Sequence, residues 1–343
     1  MSTTVEYPYF REIYPGAAAN CYTGSLCQIM RLNGINIKEH IIYLLGNGFR
    51  FYATIDEFGD PKLLTELTKT VDTFCEKYGI SLSFTDIDQL NTKKQILDVL
   101  EFQHIIVWLN SKYLKYSDFY YSQEDGYLHA IALERKINTK LIRIIDSLIV
   151  SAPVVNCIAD FELEYLEKAL LTEIEKPEIV NVTNKIITLT KSTPMPTPID
   201  NTTFRNNLYC SSNEILQDYN NEKISPVKEF YKYCMKALEE SNEERKVWLL
   251  QRLNRIIKSL WVLPNRKLLY SIIPELNLAK SEEETLLQSL ENMINNWLVL
   301  ASCCLKCSVQ TKKIGILEEY FTDADNGEQI FWKQVRETLK NYI

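Results

Sequence analysis

Three prolines, Pro194, Pro196 and Pro198, fall within Ser192–Asp200 and break the chain in two. Proline has no backbone N–H and a fixed φ, so such a run is excluded from helix interiors and from inner strands. The residues before it mix helical and strand periodicities, and those after it read as helix almost throughout. The sequence therefore predicts an α+β domain over residues 1–190, a proline-rich connector over 191–225 and an all-α domain over 226–343. At 343 residues the chain is long enough to give each domain its own core.

In the first part, Val5–Phe10 reads as an edge strand or extended arm and a helix opens at Cys21. A short helix over Asn36–Leu45 and a strand over Phe49–Ile55 come next. The spacing predicts helices over Pro61–Tyr78, Asn91–Glu101 and Phe161–Glu175. Ile80–Phe84 reads as a short strand, and His104–Leu109 is a near-continuous apolar run of buried-strand type. Tyr127–Arg135 and Lys140–Asp146 read as antiparallel strands joined at Asn138-Thr139. Val180–Lys191 fits strand or helix.

In the second part, helices are expected over Pro226–Glu240, from Ser241 to Leu260, over Pro264–Ile273, from Ser281 to Lys306 and over Gly327–Tyr342. Ser241-x-x-Glu244 and Ser281-x-x-Glu284 serve as capping boxes. No fixed period recurs, which favours a bundle over a solenoid.

Charge and motifs narrow the function. A net charge of −7 leaves no basic excess to neutralise phosphates, against nonspecific nucleic-acid binding. No run reaches the roughly 18 apolar residues of a membrane span. Met1–Phe10 lacks the basic-then-apolar pattern of a signal peptide. Nine dispersed cysteines, an odd number, suit free thiols in a reducing cytoplasm. Cys304-Leu305-Lys306-Cys307 is a CxxC without a second ligand pair, so it reads as buried thiols at a helix end, and no metal or other cofactor is expected. Gly46-x-Gly48 lacks the third glycine of a dinucleotide fingerprint, and no GxSxG, Walker A or HExxH string occurs.

One stretch does carry chemistry. Ala17–Asn20 is a small-residue approach, Asn20 is a suitable N-cap, and Leu26, Ile29 and Met30 recur at helical spacing up to Asn33-Gly34. Cys21 therefore sits in a first helical turn, where the dipole and free N–H groups favour a thiolate and can stabilise an oxyanion. A cysteine nucleophile needs a base and a group to orient that base. Among the three histidines, His129 opens an apolar strand and Asp146 ends the next, so antiparallel pairing brings both to one end of the sheet. That suggests a Cys21, His129, Asp146 triad, against a structural reading in which the cysteine and histidine only fill a core. His40 and His104 read as structural, and Tyr116, Phe119, Tyr120 and Tyr121 as a packed loop.

Taken together, Asn20-Cys21, Ile37-Lys38-Glu39, Leu45–Phe49, Tyr113–Tyr116 and Leu128–Ile131 resemble the N-terminal domain of the butirosin biosynthesis protein H family. That family is similar to the papain-like cysteine peptidases that process bacteriocins. The resemblance covers roughly residues 10 to 150 and implies a papain-like fold with a central helix and an antiparallel sheet. It further implies acyl transfer in antibiotic or nonribosomal peptide biosynthesis. An acyl group would pass from the phosphopantetheine thioester of an acyl or peptidyl carrier protein to Cys21, and then to a small amine as an amide.

On that resemblance His129 is the base and Asp146 orients it. Asn20, Tyr22, Asn110 and Tyr116 are oxyanion or substrate contacts. Two positions depart from the pattern. Pro15 stands where such peptidases carry an oxyanion-hole glutamine, and Asn110 stands where the family tends to carry aspartate. A homodimer is compatible with these readings. The rivals are a hydrolase or peptidase on the same triad and a non-catalytic binding module.

Overall fold

The computed structural model describes residues 7–56, 58–121, 126–151, 153–172, 183–190, 199–220 and 224–343. Its strands are β1 (Arg11–Pro15), β2 (Tyr52–Ile55), β3 (Pro61–Leu64), β4 (Ser81–Asp86), β5 (Ile105–Asn110), β6 (Leu128–Lys136), β7 (Leu141–Ile149), β8 (Val155–Glu162) and β9 (Lys185–Thr190). Seven of them form one antiparallel sheet in the order β1-β8-β7-β6-β5-β9-β4, while β2 and β3 pair as a hairpin. With the helical C-terminal region, the chain is α+β.

The chain divides into two compact units that depart from the expected linear boundary. The described residues of Met1–Glu39 and Tyr78–Pro196 make one unit, and those of His40–Lys77 and Thr197–Ile343 make the other. The segment 40–77, expected in the N-terminal domain, thus groups with the helices. The cause is specific packing: the β2–β3 hairpin lies on the helix Pro226–Glu239. Asn265 and Arg266 donate to the carbonyls of Gly48 and Phe49. The expected connector 191–225 also differs, since Asn201–Asn220 is a helix and the proline run itself, 191–198, lies outside the described residues.

In the first unit the helix α1 (Cys21–Leu32) packs on β6 and β7. On the other face of the sheet, Ile96 and Leu100 of the helix Thr92–Leu100 and Leu163, Leu166 and Leu170 of the helix Leu163–Leu171 join Val107, Ile131 and Ile144 in one core. Both faces of the central strands are covered, so β5 is buried along its whole length, as its apolar run implies. Each fully buried aliphatic side chain there contributes about 1.5–3 kcal/mol of transfer free energy.

Local departures have local reasons. The described part of Val5–Phe10 is not a strand, and pairing with β8 starts at Arg11. Pro61–Leu64 alternates buried and half-buried as strand β3, so the helix expected from Pro61 begins at Leu67. Strand β8 was not expected. Its burial alternates from Asn156 to Phe161, a period of two. In the last helix, Leu317–Leu339, Gly327 is interior instead of first. A Cβ there would stand 2.8 Å from Asn296 Nδ2, so glycine permits the close approach to the helix Lys280–Val309.

Candidate active site

The tip of α1 is built by two side chains. Asn20 is the N-cap, its Oδ1 accepting the Tyr22 N–H at 2.8 Å. Glu39 accepts from the N–H groups of Ala19 (2.7 Å) and Asn20 (3.1 Å) and from the Thr23 hydroxyl (2.5 Å). These bonds fix the backbone on either side of Cys21, which is 8% exposed. The Cys21 N–H has no acceptor among the described residues, which leaves it available to an oxyanion.

The sheet supplies the partners. β6 and β7 pair with Ala132 opposite Ile145. One further step sets Asp146 opposite Ile131, two residues from His129 and on the same strand side. His129 Nε2 lies 2.9 Å from Asp146 Oδ1 and 3.0 Å from the Tyr120 hydroxyl. Cys21 lies near enough to the imidazole for its charge to act on it. With Nε2 committed to the carboxylate, Nδ1 is the nitrogen left for sulfur.

Asp146 is wholly buried and saturated with donors. Tyr116 and Tyr120 reach Oδ2 at 2.8 and 2.7 Å, while His129 and the Leu148 N–H (3.1 Å) reach Oδ1. Burial opposes its ionisation, but the charge of His129 and these hydrogen bonds outweigh that and hold its pKa below the ordinary carboxylate value. Burial likewise disfavours the His129 cation, yet the Asp146 and Cys21 charges and hydrogen bonds lift its pKa from 6.5 to about 10. Burial, then Asp146, drives the two tyrosines well above their usual value, so both remain hydroxyl donors.

The pair makes stability depend on pH. The raised His129 contributes fully below 6.5 and is lost as pH climbs through about 10. The depressed Asp146 contributes above the ordinary carboxylate range and is lost as pH falls through its lowered value. Urea-melt midpoints are therefore expected to peak at mildly acidic pH and decline toward pH 10, with the alkaline slope reduced in His129→Gln. A variant with the wild-type slope would show that the pair does not set the profile.

The other expected contacts serve the scaffold. Tyr22 packs on Trp108, ring centroids 5.2 Å apart, and Asn110 accepts from the Lys112 N–H to cap the turn Ser111–Tyr113. Tyr116, buried, donates its hydroxyl to Asp146 Oδ2. Tyr120 and Glu39 were absent from the residues expected at the site. The spacing of Tyr116 and Tyr120, one helical turn apart, is the sequence signal for the first. Nothing local marks Glu39. His104 Nδ1 donates to the Glu134 carbonyl at 2.6 Å, a structural use. All nine cysteines are free thiols. Among the described residues no cluster of three or more His, Cys, Asp or Glu is placed to hold a metal ion, and no helix is long and apolar enough to cross a membrane. No protein-family model matches this chain and no curated protein matches it, so these side chains are what bears on its function.

Proposed function

We propose that the protein is a cysteine-dependent acyltransferase on a papain-like fold. The observation that carries this reading is a single imidazole bonded to a buried carboxylate and within electrostatic reach of a thiol at a helix tip. The family resemblance supports a carrier-protein thioester as the donor.

Cys21 Sγ, its proton taken by His129, attacks the thioester carbonyl, and the Cys21 N–H faces the developing oxyanion. Collapse breaks the carrier C–S bond, and the imidazolium returns its proton to the departing thiol. An amine then attacks the acyl-enzyme, gives a proton to His129 and displaces Cys21 as the amide forms. Asp146, held by two tyrosines, keeps the imidazole oriented and stabilises its cation. Each acyl exchange starts from a thioester, so no separate activation is needed.

The test is incubation with acyl N-acetylcysteamine thioesters and acyl carrier proteins, then intact-protein mass spectrometry. A mass increase equal to the acyl group is expected on the wild type and absent from Cys21→Ala. Added amines should discharge it as amide. Discharge as acid alone would make the protein a hydrolase, and no adduct from any thioester would remove the acyl-enzyme reading.

A further inference from the structure

We propose that the pocket beside the first turns of α1, lined by Gly24, Glu39, Lys38 and the unpaired Ser147 hydroxyl, binds a small amino acid-like zwitterion. Resting on the acyl-transfer reading, this names the class of the acceptor amine.

The pocket is an open depression of about 290 Å³, the scale of a single amino acid and not of a peptide. Gly24 lets the wall close up: a Cβ there would stand 2.4 Å from Ala18 Cβ and 2.7 Å from Ser147 Cβ, so glycine permits α1 to approach both residues. Gly24 and Gln28, both lining residues, come after Cys21 at helical intervals that keep them on its side of α1. The pocket therefore starts one turn along from the sulfur.

Its polar groups suit opposite charges. Ser147 is 3% exposed, and its Oγ has no hydrogen-bond partner among the described residues. A buried hydroxyl without a partner is unfavourable unless a ligand supplies one. Asn156 spends its Nδ2 on the Gly16 carbonyl, so its Oδ1 remains as an acceptor. Glu39 Oε2, which among the described residues accepts only the Ala19 N–H, keeps a lone pair beside these oxygens. Burial raises the Glu39 pKa, and an ammonium held by the three oxygens would offset that. Lys38 lines the exposed side and joins no ion pair among the described residues, which places a cation where a carboxylate would lie. The larger groove of the second unit, about 740 Å³ and lined by Leu298, Val299, Cys303 and Val309, offers no unpaired buried polar atom among the described residues.

Binding is separable from chemistry in Cys21→Ala. Titration calorimetry of that protein with glycine and β-alanine is expected to show saturable millimolar binding, with acetate and methylamine at least about tenfold weaker. Adding Ser147→Ala should weaken β-alanine about tenfold while leaving the melting temperature unchanged, because the lost hydroxyl bonds nothing in the protein. No saturable binding of either amino acid, equal binding of acetate, or an unaltered affinity in Ser147→Ala would overturn the proposal. Amino-acid binding without an acyl adduct on the wild type would keep the pocket and remove the transferase reading. An adduct without amino-acid binding would do the reverse.

Discussion

Replacing His129 by alanine is expected to slow alkylation of Cys21 by iodoacetamide at neutral pH by about tenfold, within the roughly thirtyfold that complete ionisation of an ordinary thiol can supply there. The thiolate is the reacting species, and His129 is the basic side chain that feels the Cys21 charge and is bonded to a buried carboxylate. Asp146→Asn should fall between His129→Ala and the wild type, because it weakens orientation and charge but keeps the imidazole. Tyr120→Phe should cost less, since three donors to Asp146 survive it. The label must be read at the Cys21 peptide, because Cys210 is exposed and will react independently. Cys27 supplies an internal control: burial, then Glu39, raises its thiol well above the ordinary value. Alkylation of Cys21 at an unchanged rate in His129→Ala would leave an ordinary thiol and favour a non-catalytic binding module.

How much of this was legible depended on range. The tip of α1 is a local object: an N-cap, small residues before it and apolar residues at helical spacing are all contiguous, and the helix starts at Cys21. The meeting of His129 and Asp146 comes from a short hairpin, where pairing register is set by the turn. The expectation was wrong in detail, since β7 runs on to Ile149 and Asp146 lies inside it. Tyr120 and Glu39 were missed for different reasons. Tyr120 belongs to a stretch that reads as a packed loop but folds as the short helix Asp118–Tyr121, so its one-turn spacing from Tyr116 was not put to use. Glu39 reaches the α1 tip from a separate segment, a contact that no periodicity encodes. The same limit applies to residues 40–77, whose partners lie far along the chain in Pro226–Glu239 and at Asn265 and Arg266.

Those distant partners set up the largest stability effect. Arg266 and Glu328 are each 1% exposed and joined in a fork, Nε to Oε1 at 2.8 Å and one terminal nitrogen to Oε2 at 2.9 Å. Trp297 and Trp332 donate their indole N–H groups to the same carboxylate at 2.8 and 2.9 Å, and the guanidinium lies 3.9 Å over Phe51. Glu328→Gln puts an amide among four donors and leaves a buried cation, so it should destabilise the second unit by about 3–5 kcal/mol. For a unit of this size that corresponds to a fall of roughly 10 °C in melting temperature. A buried ion pair replaced by apolar residues is often neutral, but here Arg266→Met with Glu328→Leu would also orphan both indoles and the Phe49 carbonyl. The double variant should therefore stay about 2 kcal/mol or more below the wild type. Tryptophan fluorescence in guanidinium measures it directly, since Trp248, Trp261, Trp297 and Trp332 all belong to this unit. Wild-type stability in the double variant would mean that the hairpin segment is held by its apolar contacts, and that the charges serve only each other.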